Sequence, residues 1–201
     1  MRREYQNKEA IPEGCILYLP LTKEGDLKDR VTGNSLVIEN TEGMSWDAAK
    51  GAYLIKSTTT AHFGYLNYPN FLAQFIDGDN YTLVCDAEGK IWNSTIPFLR
   101  PNGSATRAYS SWSFGNIENW TTGKVRISMT FDATYRTYYC NRTQISQTSM
   151  SGLAPYTPSR WGTISSPELY AGYNTSAVGQ YYMYRFMLFN RKLTLDEIMA
   201  L

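Results

Sequence analysis

The chain has 201 residues, a formal net charge of +1, and 43% hydrophobic and 14% aromatic residues. A chain of this length buries about 70% of its unfolded surface as one domain and needs no disulfide to hold it. Near-zero net charge gives no electrostatic footprint for nucleic acid, and no apolar stretch is long enough to span a membrane.

Residues 1–13 are polar and end in Ile11-Pro12-Glu13, which predicts an arm or linker; the basic residues near Met1 are not followed by the apolar core of a signal peptide. Gly14 to Leu21 is a nearly continuous apolar run, as in a strand covered on both faces. A charged loop from Lys23 to Asn34 follows, broken by Gly25 and Gly33. Leu36–Ile38, Ala52–Ile55 and a segment around His62, Phe63 and Tyr65 read as short strands. Asp77-Gly78-Asp79-Asn80 signals a turn before a strand over Tyr81–Cys85; Asp86-Ala87-Glu88 follows on a strand, and Gly89-Lys90 suggests the strand end.

Ile96–Leu99 and Ala108–Phe114 come next. Val125, Ile127, Met129 and Phe131 then alternate with Lys124, Arg126, Ser128 and Thr130, predicting a strand with one face buried and one wet. Tyr135–Cys140 is its expected hairpin partner. Residues 143–167 are rich in Ser, Thr, Pro and Gly and read as a long loop, and Leu169, Ala171 and Tyr173 mark another strand. The closing strand is expected to place Tyr182, Tyr184, Phe186 and Leu188 on one face, and Met183, Arg185, Met187 and Phe189 on the other. After a turn at Asn190-Arg191, Thr194 and Glu197 form a capping-box pattern that opens one helical turn, with Leu195, Ile198 and Leu201 on its apolar side. Roughly a dozen short strands with almost no helical periodicity predict an all-β, two-sheet antiparallel sandwich of the jelly-roll type over residues 14–201, with a short C-terminal helical turn.

Phe189-Asn190-Arg191-Lys192-Leu193-Thr194-Leu195-Asp196-Glu197-Ile198 resembles the closing motif of laminin-G-like jelly rolls, in the concanavalin A-like lectin/glucanase superfamily. Gly14–Leu21, Leu27-Lys28-Asp29, Gly33-Asn34, and the strand pair Val125–Asp132 and Tyr138–Asn141 are similar too, so the resemblance covers about residues 14–201. It implies the sandwich fold and a module that works outside cells. With no export signal in this chain, the expectations are a piece of a longer protein or a virion protein released by lysis. Free cysteines fit the latter.

The resemblance also raises two chemistries. The superfamily's glucanases carry a Glu-x-Asp-x-(x)-Glu signature, which this chain lacks; Asp86 and Glu88 are the nearest carboxylate pair on a strand, so no enzyme is expected. The resemblance implies calcium at Asp29, with an oxygen from Asn34, but Tyr184 stands where an acid often sits in the family. The other reading of Asp29 is a cap on its own loop. Cys15, Cys85 and Cys140 are read as small core residues, His62, the single histidine, as a strand residue, and the Lys124, Arg126 and Arg185 face as solvated.

Glycan recognition is the function best matched by residue type. Flat rings cover the apolar face of a sugar while polar groups bond its hydroxyls. Arg107, Tyr109, Trp112 and Trp120 in the segment 107–120, with Trp92 and Trp161 in expected loops, are the candidate contacts. The alternative is a structural or protein-interaction module of a larger assembly, such as a phage capsid or tail surface, with other subunits held through residues 1–13.

Overall fold

A computed structural model describes residues 10–38, 43–58, 62–63, 65–67, 80–90, 98–101, 123–132, 134–149, 167–170 and 180–201. Among the described residues, the strands form two antiparallel sheets and the chain closes in one short helix. The strands are β1 (Cys15–Leu19), β2 (Val37–Ile38), β3 (Met44–Asp47), β4 (Ala52–Thr58), β5 (His62–Phe63), β6 (Tyr65–Asn67), β7 (Tyr81–Lys90), β8 (Phe98–Pro101), β9 (Val125–Phe131), β10 (Tyr135–Cys140), β11 (Thr143–Ser149), β12 (Pro167–Tyr170) and β13 (Gln180–Phe189). The helix is α1 (Leu195–Ala200).

The larger sheet runs β11-β10-β9-β7-β13-β4-β3, with β5 added to β4 and β1 to β13. The smaller runs β2-β6-β12-β8. Strand β13 is the hub. One of its edges pairs with β7 along the whole length. The other is shared end to end by β4, against Gln180–Met183, and β1, against Phe186–Phe189.

The main core lies on the inner face of the larger sheet. Leu83, Cys85 and Ala87 of β7, Ile127 and Met129 of β9, and Tyr181, Met183, Phe186 and Leu188 of β13 are fully buried there. Leu36 and the partly buried Ile38 pack on the same cluster, tying the smaller sheet to the larger. All five residues of β1 are buried, as its unbroken apolar run predicts.

Several local expectations change. The register between β7 and β13 shifts between Met183 and Arg185, so Met183 faces Ala87, Arg185 faces Asp86, and Tyr184 is an extra residue. This bulge reverses the alternation. Phe186 and Leu188 therefore join Tyr181 and Met183 in the main core, while Met187 and Phe189 pack in a second cluster on the outer face. Strand β7 is one strand from Tyr81 through Asp86 and Glu88 to Lys90, ending where Gly89-Lys90 suggests, because β13 pairs with it that far. Residues Thr143–Ser149 are a strand rather than loop: Asn141, at φ 51°, turns the chain back onto β10. Its polar composition belongs to an edge strand exposed on nearly every residue. On β9, Ser128 and Thr130 are buried rather than wet, since they sit beside Val84 and Thr82, the residues that the C-terminal segment covers.

That segment is held by local chemistry read from the sequence. The Glu197 amide donates to Thr194 Oγ1 at 3.2 Å and the Thr194 amide to Glu197 Oε2 at 2.7 Å, so the capping box closes. Ile198 is buried against Cys15, Tyr18, Val84, Met187, Phe189 and Leu193. Thr82 fastens the approach to the helix: the Leu193 amide donates to its hydroxyl at 2.8 Å, and the hydroxyl donates to the Arg191 carbonyl at 2.9 Å.

Candidate functional site

Beyond the end of α1, the outer face of the larger sheet opens into a pocket of about 580 Å³. Its floor is Asp86 of β7, Arg126 of β9, and Tyr184 and Arg185 of β13. Lys124, Val125, Asn141 of the β10–β11 turn, Tyr18, Pro20, Thr22 and Met199 complete the lining.

Asp86 binds two guanidiniums. Arg126 Nε lies 2.8 Å from Oδ1 and its Nη2 3.2 Å from Oδ2; Arg185 Nε and Nη2 reach Oδ2 at 3.0 and 2.8 Å. The three side chains are mostly buried, at 8% exposure for Asp86, 15% for Arg126 and 16% for Arg185. The expected solvated face of Lys124, Arg126 and Arg185 is therefore corrected: only Lys124 is exposed, because cross-strand register places both arginines against one acid. Burial pushes the Asp86 carboxyl up, and the two guanidiniums outweigh it, holding the group below its ordinary value.

Each arginine also reaches the helix. Arg126 Nη1 donates to the Ile198 carbonyl at 2.9 Å and Arg185 Nη1 to the Leu201 carbonyl at 2.8 Å. Helix α1 has no basic residue in its last turn. The sheet supplies the cations that the last carbonyls of a helix favour.

Next to this cluster lies a second one. Lys50 Nζ is 2.6 Å from Glu88 Oε1, and the Tyr184 hydroxyl donates to Glu88 Oε2 at 2.6 Å. The Lys50 ammonium and the Tyr184 hydroxyl together lower the Glu88 carboxyl. Burial, then the neighbouring Glu88, pushes the Tyr184 phenol up to about 12. Lys124 Nζ sits 4.3 Å above the Tyr184 ring centre and Lys50 Nζ 5.2 Å above that of Tyr182, both within cation–π range.

Asn141 shapes the rim. Its amide donates to the Arg126 carbonyl at 2.7 Å, and its Oδ1 accepts from the Arg126 amide at 2.9 Å. Only the side-chain oxygen can accept from an N–H, so the NH2 is the end left for another partner.

Asp29 is a loop cap. Its carboxylate accepts from the amides of Tyr18, Val31 and Thr32 at 2.9, 3.0 and 3.2 Å and from Thr32 Oγ1 at 2.7 Å, and the residue is fully buried. Four donors from its own surroundings occupy both oxygens, so this donor set does not fit the calcium that the resemblance implies. Among the described residues no group of three or more His, Cys, Asp or Glu is arranged to hold a metal ion. Cys15 and Cys85 are buried and Cys140 half-buried, all as free thiols. Burial pushes all three up, Cys15 to about 12.

The sequence candidates Trp92, Arg107, Tyr109, Trp112, Trp120 and Trp161 lie outside the described residues. The pocket residues carry a different sequence signal, charge inside an apolar strand. Arg185 interrupts the apolar run of β13, and Asp86 directly follows that of β7.

No protein-family model and no curated protein matches the chain. Solved structures do. The Trypanosoma rangeli sialidase in complex with 2,3-difluoro-KDN is similar at a TM-score of 0.61 and 13% identity, over 94% of this chain and 32% of that one. A botulinum neurotoxin type C structure, from work tying cell entry to interaction with two ganglioside molecules, gives 0.58 and 11%, over 93% and 50%. The binding domain of botulinum neurotoxin DC, in complex with rat synaptotagmin II, gives 0.59 and 10%, over 95% and 51%. The likeness is one of fold. This chain matches those proteins along nearly its whole length as a β-sandwich, yet spans only about a third to a half of theirs.

Proposed function

We propose that this chain is a non-catalytic glycan-recognition module of the laminin-G-like, concanavalin A-like type. The carrying observation is the outer-face pocket, where the ring of Tyr184, the ammonium of Lys124 and the amide of Asn141 converge beside an ordered floor. Such a mixture of ring surface and placed donors suits a sugar. The structural neighbours whose names include ganglioside interaction and sialidase support the same ligand class. Trp92, Arg107, Tyr109, Trp112, Trp120 and Trp161 remain proposed contacts alongside the pocket.

A binding role is favoured over hydrolysis by the state of the acids. A glycosidase needs a protonated carboxyl to assist the leaving group. Asp86 and Glu88 share a strand face, but cations hold both below their ordinary values. Among the described residues no helix is long and apolar enough to cross a membrane; an extracellular or virion surface is the location that the glycan reading proposes.

A glycan array followed by titration monitored by intrinsic fluorescence tests this reading. Binding in a range of about micromolar to millimolar is expected, with multivalent display raising the apparent affinity. A silent array, or turnover of a polysaccharide panel, would overturn it. One observation favours the alternative protein-interaction role: among the described residues β11 is a sheet edge, Thr-Gln-Ile-Ser-Gln-Thr-Ser, exposed and without a charge to discourage strand addition. In that case the array stays silent, and assembly measured by light scattering depends on β11 or on residues 1–13.

A further inference from the structure

We propose that the outer-face pocket selects a sugar carrying a carboxylate, which it engages through Lys124, Arg126, Arg185 and Asn141; this rests on the glycan reading above. The argument is one of charge and unused donors. Among the side chains that line the pocket, the three cations Lys124, Arg126 and Arg185 outnumber the one acid, Asp86. Glu88 does not offset them, because Lys50 already pairs with it.

The donors are built in rather than loose. Each guanidinium commits Nε and Nη2 to Asp86 and one Nη1 hydrogen to a carbonyl of the C-terminal segment. One hydrogen on each Nη is left over, since a guanidinium carries two there. Lys124 has no carboxylate partner among the described residues, and the Tyr184 ring holds its ammonium in place at 4.3 Å. The Tyr184 hydroxyl is in turn fixed on Glu88, which makes Tyr184 a positioning residue for Lys124. The Asn141 amide NH2 adds a neutral donor at the rim, its oxygen being committed to the Arg126 amide. A group meeting these hydrogens has to accept several at once and carry negative charge. A carboxylate does both, and charge-assisted bonds of this kind are the stronger ones.

A concave, partly desolvated cation cluster also makes a clear experimental distinction. Methyl glucuronide and the α-methyl glycoside of N-acetylneuraminic acid should each be titrated against their own methyl esters, which keep the ring and lose the charge. Sodium acetate serves as the bare carboxylate. At least one acid should bind about tenfold or more tighter than its ester and than acetate, and its affinity should fall as salt is raised. Lys124→Ala, at an exposed position, should cut that affinity about tenfold and weaken ester binding by much less, so that the acid-over-ester preference shrinks. Asn141→Gly, which tolerates the left-handed backbone, should cut it less. Equal binding of acid and ester would overturn carboxylate selection while leaving the glycan reading in place. So would an acid affinity that Lys124→Ala leaves intact. Acetate binding as tightly as either acid would overturn the sugar component. If no saccharide of either kind binds here or on the array, the glycan reading fails with it.

Discussion

The two faces of the larger sheet are made by the same strands and obey different rules. On the inner face, β7, β9 and β13 contribute Leu83, Cys85, Ile127, Met129, Phe186 and Leu188, all apolar and fully buried. On the outer face the same strands contribute Val84 and Met187 beneath α1, and then, two residues from these, Asp86 and Arg185, with Arg126 beside them, in the pocket floor. The inner face tolerates no charge and needs only shape. The outer face is divided between an apolar seat for the C-terminal segment and an ionic patch that shares that segment's last carbonyls. Fold is decided on one side and the candidate chemistry on the other, with the Tyr184 bulge setting which residue goes where.

The hardest test of that division is deletion of Tyr184. Removing the extra residue restores unbroken alternation, so one half of β13 must turn its buried residues outward. Fully burying each such side chain is worth about 1.5–3 kcal/mol, and several together rival the roughly 5–15 kcal/mol that stabilises a typical domain. Loss of cooperative unfolding, followed by circular dichroism, is the expected result; a stable deletion variant would refute the assigned register.

Asp86→Asn comes next and probes the outer face alone. It leaves two mostly buried guanidiniums facing a neutral amide, and a loss of about 3–5 kcal/mol is expected in guanidinium chloride unfolding. The acid side of the pH profile sharpens this. The Asp86 carboxyl is lowered in the folded state, so its contribution is fully present above the ordinary value of 3.8 and is lost as pH falls through the lower folded value. Wild type should shed that increment below about pH 4, and Asp86→Asn should lack the step.

Thr82→Val has a smaller expected effect. It keeps the shape but strands the Leu193 amide and the Arg191 carbonyl, for a loss of about 1–3 kcal/mol. Hydrogen exchange of the Leu193 amide should quicken with it. Arg142→Gln should be nearly silent. Its ion pair with Asp196 has side chains 65% and 89% exposed, and an exposed pair of this kind contributes about 0–1 kcal/mol. A large effect in thermal unfolding would mean that α1 is held from outside as well as from the sheet.

Legibility in the sequence follows the range of the interaction. The Thr194–Glu197 capping box spans three residues and was readable, as were the apolar run of β1 and the inner face of β9. The sandwich class follows from many such segments added together. The face assignment of Phe186 and Leu188 was not readable, because one extra residue in a bulge reverses every later position and leaves no mark on composition. Thr143–Ser149 hid as loop because an edge strand with both faces wet has no apolar alternation to show. The pocket floor was hidden for a different reason. Asp86 is separated from Arg126 by 40 positions and from Arg185 by 99, and only the pairing of β7 with both β9 and β13 brings them together. Asp86 and Glu88 were visible as a pair of acids; their neutralising partners were not.

The position of β13 bears on how the molecule is made. It leaves the ribosome after β1, β4 and β7, yet it is the strand that joins all three. Until it arrives, those strands have no common neighbour, and their open edges are available to other nascent chains. Closure of this sheet therefore waits for its last strand, and expression at reduced temperature, which gives the late strand more time relative to aggregation, should raise the folded yield.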